Sequence, residues 1–201
     1  MKKILPFFSY AFHPIFISVF AVLFFFITTT GYFNYETIYL YLIQTLIITV
    51  FIPLAIFYLL VTLNKIDSIM VTNVTQRKIP LVIQIALLGT LIFKSFTLDV
   101  SPELFYFFLG SIISSAIALV LVFFEKKVSL HMLGMASITA FCIASFIHFG
   151  IKNTYFIVAL LLCNGFVASS RLVMKAHTTT ELTLGYAIGL IPQLVLLFFW
   201  M

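Results

Sequence analysis

The sequence predicts an all-α fold, a polytopic bundle of about seven membrane-spanning helices. Three observations carry that prediction. Of the 201 residues 63% are apolar and only 8% charged, whereas a water-soluble domain carries roughly a quarter charged residues. Mean hydropathy is +1.23, with 25 phenylalanines in the chain. Several apolar runs reach the roughly 20 residues a helix needs to cross the hydrocarbon core. No stretch is polar enough for a soluble domain and no internal repeat is evident, so residues 1–201 read as one integral membrane domain.

In chain order the spans fall at about 14–32, 38–63, 81–98, 104–124, 130–149, 154–173 and 181–200, boundaries read from the apolar runs. Met1-Lys2-Lys3 ahead of an apolar run resembles a secretory leader. The run is long and further spans follow, so it reads as an uncleaved first span. Pro80 sits where a helix starts, the position proline tolerates best. Pro53, Pro102 and Pro192 read as kinks or boundaries. Lys94 reads as a side chain reaching for the far interface. His13 and His148 read as span-end residues without a chemical role. Cys142 and Cys163 lie inside apolar segments and imply neither a disulfide framework nor a metal site.

Seven crossings place the N-terminus and the loops 64–80, 125–129 and 174–180 at one end of the bundle, here the motif end. Lys2, Lys3, Lys65, Arg77, Lys78, Lys126, Lys127, Arg171 and Lys175 lie on or near it, against Lys94 and Lys152 towards the other. The positive-inside rule makes the motif end, and with it the N-terminus, cytoplasmic. The formal charge of +5 is spread over segment ends, which suits anionic headgroups rather than nucleic acid.

Three polar clusters share the motif end. The first is Arg77-Lys78-Ile79-Pro80. The second is Ser129-Leu130-His131, with Gly134 a turn later. The third runs from Ser170-Arg171 through Lys175 and His177 to Glu181, followed by Gly185 and Gly189. A histidine at the head of two helices on one side is not required by the hydrophobic pattern, and it points to a site. Arginine forks match phosphate oxygens. Ser129 offers a hydroxyl, and the N-termini of the fifth and seventh spans favour an anion. Two histidines allow one nucleophile or base and one acid near neutral pH. His177 and Glu181 are four apart, so on a helix they share a face and the carboxylate can orient the imidazole. No acidic cluster for Mg²⁺ accompanies them. Gly185-x-x-x-Gly189 reads as a close helix-packing face.

These residues resemble the type 2 phosphatidic acid phosphatase superfamily, whose pattern is K-x6-R-P, then P-S-G-H, then S-R-x5-H-x3-D. Ser170-Arg171, His177 and Glu181 match the third motif with glutamate for aspartate, and Gly185 and Gly189 follow as in the family. Val128-Ser129-Leu130-His131 matches the second in part, with leucine for glycine. Arg77 and Pro80 match the first, with Met70 at its lysine position and Lys78 or Lys65 nearby. The resemblance covers roughly residues 64–190 and implies a core like the family's six-helix bundle. It implies His177 as the nucleophile forming a phosphohistidine, His131 as the acid and Glu181 as the support of His177. Arg77, Arg171 and Ser129 would bind phosphate, Ser170 and Lys78 assisting. No metal or other cofactor is implied.

The expected function is therefore an integral membrane phosphatase for a lipid phosphate or prenyl diphosphate. The competing expectation is a catalytically inactive relative that binds lipid phosphates or partner proteins. A prenyltransferase-like protein is disfavoured, because only Asp67 lies in a loop suited to Mg²⁺–diphosphate. Membrane lipids are the expected surroundings, self-association as a homo-oligomer is left open, and the expected location is the bacterial inner (cell) membrane.

Overall fold

Several helices start where a side chain takes over an unpaired backbone N–H, and several stop where the chain turns left-handed. Asn34, Ser129, Asn153 and Thr178 accept such N–H groups at the heads of four helices, as their residue types favour. Asn64, Glu125, Gly150 and Lys175 adopt positive φ just past four helix ends. The amides after them reach back to Leu60, Leu121, Phe146 and Arg171 carbonyls, which closes those ends as Schellman motifs. The computed structural model describes residues 4–67, 71 and 73–201.

The helices are α1 (Leu5–Ala11), α2 (Pro14–Thr28), α3 (Tyr35–Leu46), α4 (Ile52–Thr62), α5 (Lys78–Lys94), α6 (Pro102–Phe123), α7 (Leu130–His148), α8 (Thr154–Val173) and α9 (Thr179–Leu197). Among the described residues there is no strand. A π-helical turn, Ile47–Phe51, joins α3 to α4 in one 28-residue rod, Tyr35–Thr62. Pro53 follows that turn and cannot donate its amide, a recognised cause of a widened turn. Six helical segments are long and apolar enough to cross a membrane, and α1 with α2, bent by 66°, makes up to a seventh. The protein is a polytopic transmembrane helical bundle.

The first three spans differ in their boundaries from the sequence reading, the third running Lys78–Lys94 rather than 81–98. The first span does not run to residue 32. It ends at Thr28, where Thr28 and Thr29 hydroxyls donate to Phe24 and Phe25 carbonyls. It is also preceded by a separate helix, because His13-Pro14 breaks the chain: proline disfavours helical geometry in the residue before it. The second span starts earlier, at the Asn34 cap.

Helix α7 is the axis. From His131 to Cys142 every residue is buried, with α2, α8 and α9 packed round it. Phe24, Phe25, Phe107, Phe108, Phe141 and Phe146 fill the core. Phe93, Tyr155 and Phe198 stand exposed on the outside, where lipid is as good a solvent as another side chain. Helix association in lipid rests on close packing instead. Gly185 shows it: a β-carbon there would lie 2.5 Å from the Ser129 carbonyl oxygen, and one at Gly189 would overlap the Leu133 carbonyl. The Gly185–Gly189 face is the α7–α9 contact. Pro192 leaves the Ile188 carbonyl without its helical donor, and the Ser114 hydroxyl of α6 donates to it at 2.8 Å. That is how proline is accommodated inside a membrane helix.

Candidate functional site

At the motif end the head of α2, the 3₁₀ turn Thr75–Arg77, the head of α7, the end of α8 and the loop before α9 converge. They enclose a cavity of about 130 Å³. Its polar end holds His13, Arg77, His131, Arg171 and His177; its apolar wall continues along α4 and α5 through Pro53, Phe57, Leu81 and Leu88. The four principal residues of the three motifs thus share one chamber.

His177 lies two residues before α9 begins. Its Nδ1 is 2.7 Å from Glu181 Oε2. On a helix the two residues would share a face; His177 precedes the helix, and the contact is made through the helix cap. Thr178 is the N-cap, its hydroxyl accepts the Glu181 amide, and Glu181 Oε2 accepts the Thr178 amide at 3.3 Å. In this capping box the third helical residue must reach back over the helix start, which suits glutamate. The length of the Glu181 side chain thus serves the cap and the imidazole together. A carboxylate on Nδ1 puts the proton there and leaves Nε2 as the lone-pair nitrogen. Burial, followed by the positive charges of Arg77, Lys127 and Arg171, lowers the His177 pKa to about 4 against the opposing Glu181 bond. His177 is therefore a neutral imidazole at neutral pH.

His131 is buried on the first turn of α7, and its Nε2 lies 3.1 Å from the Ser9 carbonyl oxygen of α1. A carbonyl only accepts, so Nε2 carries hydrogen and Nδ1 is the uncommitted nitrogen. Arg77 is buried and donates Nε to the Val71 carbonyl at 3.1 Å and Nη1 to the Val128 carbonyl at 3.0 Å. It ties the loop before α5 to the loop before α7. Arg171 is 9% exposed, and its Nε has no hydrogen-bond partner among the described residues.

Comparison with protein-family models, curated proteins and solved structures finds no match. The site therefore stands on its own geometry.

Three residues expected at the phosphate lie elsewhere. Lys78 points away, with Nζ 4.7 Å from the Phe123 ring centroid on α6; as the first residue of α5 it faces α6 while Arg77 turns inward. Ser129 is fully buried, spending its hydroxyl on the Met132 amide at 3.4 Å and its own amide on the Glu181 carbonyl at 3.1 Å. Ser170, also fully buried, shares a 2.6 Å hydrogen bond with Ser9 of α1. Both serines hold the helices that carry the site and do not line the cavity. Met70 lies outside the described residues. Val71 lines the chamber.

Two residues were missed. His13, read as a bland span end, lines the cavity, and its ring meets that of His131 edge-on at 5.1 Å. The signal was available: it is a third histidine heading a span on the motif side. Lys127, counted only as an orientation charge, donates Nζ to the Ala176 carbonyl at 2.8 Å, beside His177. Burial pulls its pKa below the ordinary lysine value. Among the described residues no group of three or more His, Cys, Asp or Glu side chains is placed to hold a metal ion.

Proposed function

We propose that this protein is an integral membrane phosphatase that hydrolyses a lipid phosphate or prenyl diphosphate through a phosphohistidine. The observation that carries the reading is the His177–Glu181 pair at 2.7 Å, opening on a chamber shared with His131, Arg77 and Arg171. The resemblance of the three motifs supports it. His177 Nε2 attacks phosphorus while the bond from phosphorus to the lipid oxygen breaks. His131 enters the step as the imidazolium, its Nδ1 having taken a proton from solvent as the anion seats, and gives that proton to the leaving oxygen, which leaves the ring neutral with hydrogen on Nε2. Water then cleaves the N–P bond, with His131 taking a proton from it, and inorganic phosphate leaves. Glu181 holds the imidazole in the reactive tautomer and stabilises its developing charge. Arg171 and the part of Arg77 not tied to the backbone offset charge on the phosphoryl oxygens. The apolar wall along α4 and α5 suits an acyl or isoprenoid tail.

The test is phosphate release from phosphatidic acid and from a prenyl diphosphate by purified protein without added metal. His177→Ala should lower it by about a thousandfold or more, since a nucleophile is not replaceable by its neighbours. Undiminished turnover in that variant would refute the mechanism. A second reading, a lipid-phosphate binder without catalysis, is favoured by Leu130, whose side chain lines the cavity where the family pattern has glycine. Tight lipid binding with no phosphate release would decide for it.

A further inference from the structure

We propose that His13 is a third histidine of the phosphate site, donating its Nε2–H to a phosphate oxygen of the bound lipid. The proposal rests on the lipid-phosphate reading of this cavity and adds a residue from outside the three motifs. His13 is the N-cap of α2 with extended backbone (φ −65°, ψ 139°), and its Nδ1 accepts the Ile15 amide at 3.3 Å. An amide N–H is only a donor, so Nδ1 is the lone-pair nitrogen and the ring hydrogen is on Nε2. The cap thus fixes a tautomer that leaves one N–H donor on a side chain lining the chamber.

Among the described residues the only hydrogen bond of the His13 side chain is the one its Nδ1 accepts from Ile15, so Nε2–H has no partner. Around it the polar end presents Arg77 and Arg171 as cations and His131 and His177 as imidazoles, and the carboxylate of Glu181 is already taken by His177 and the Thr178 amide. The second, independent sign is the Arg171 Nε, more than nine-tenths buried and without a partner. Buried donors without acceptors are costly and rare in folded proteins. An anion seated among His13, His131 and Arg171 supplies the missing acceptors. The bend between α1 and α2 then has a use: it carries His13 to within 5.1 Å, ring to ring, of His131.

A purely capping role makes a different prediction, and the substitution can separate the two. Asparagine is among the strongest N-caps, but its amide is too short to reach where the imidazole Nε2 lies. His13→Asn should keep the thermal unfolding temperature in detergent while weakening the affinity for both inorganic phosphate and a short-chain phosphatidic acid. The expected loss is roughly tenfold or more, the range for a hydrogen bond to a charged group. His13→Ser, a second competent cap, should behave alike and guards against a folding defect peculiar to one variant. Unchanged affinity in a folded variant overturns the proposal and leaves the phosphate site standing. A loss confined to the lipid also overturns it, because His13 would then contact something other than phosphate. If the unaltered protein binds neither ligand, this inference and the lipid-phosphate reading both fall. If it binds them without hydrolysis, only the catalytic reading falls and His13 is judged by binding alone.

Discussion

Glu181 illustrates how a single side chain can join local structure to chemistry. It closes the first turn of α9 and holds the imidazole of His177 with the same oxygen. The spacing Ser170-Arg171, His177, Glu181 was legible because the functional partners are neighbours in the chain, and a cap is a local motif. His13 and Lys127 were not legible in that way. Their relation to the site is made by distant segments, and a histidine or lysine at a span end has an ordinary explanation. The charge state of His177 yields a prediction with a definite sign. In the proposed mechanism the neutral ring is the nucleophile, and burial with the neighbouring cations holds its pKa near 4, below the ordinary value of about 6.5. Activity should therefore persist down to roughly pH 5 and fall only as protonation approaches at lower pH. A pH profile of kcat/KM would show this, and an acid limb near 6.5 would contradict it.

At the scale of the element, the α7–α9 contact fixes the chamber. Ser129 starts α7 and bonds the Glu181 carbonyl, so the helix bearing His131 and the helix following His177 are locked at their heads. The glycine at 185 permits that approach. Gly185→Ala would set a β-carbon 2.5 Å from the Ser129 carbonyl oxygen and 3.1 Å from its nitrogen, backbone atoms that cannot rotate aside. Overpacking of this kind costs about 1–3 kcal/mol. The variant should unfold at a lower temperature in detergent and lose most phosphate release, whereas a variant as stable as the parent would contradict the packing argument. The small-x-x-x-small spacing announced a packing face but not its partner. The π turn before Pro53 was legible only as a kink, since proline marks where a helix is disturbed and not how the freed carbonyls are accommodated.

For the whole molecule, the alternation of α2, α3–α4, α5, α6, α7, α8 and α9 brings His13, Arg77, His131, Arg171 and His177 to one end. The excess of lysine and arginine at that end predicts that it faces the cytoplasm. Single cysteines at Thr179 and Lys126 should stay protected from an impermeant thiol reagent in intact cells, while one at Lys152 should react. The reverse pattern would place the site outside. Either result keeps the three positions sorted by end, and labelling of all three from one side would contradict the crossing pattern itself.

By itself the sequence determined the class and the ends of most helices. Composition and run length decide what can dissolve in lipid, and caps, glycines and prolines act within a few residues. It also determined that charged and imidazole groups gather at one end, because an alternating chain assigns each loop to a side. Only the tertiary structure decided which of those groups share a cavity. Lys78 and Arg77 are adjacent in sequence yet separate, one over Phe123 and one into the chamber. A helix turns successive residues by about 100°. Conversely, His13 and His131 are far apart in sequence and meet ring to ring, because α1 and α2 bend at Pro14 around the head of the most deeply buried helix.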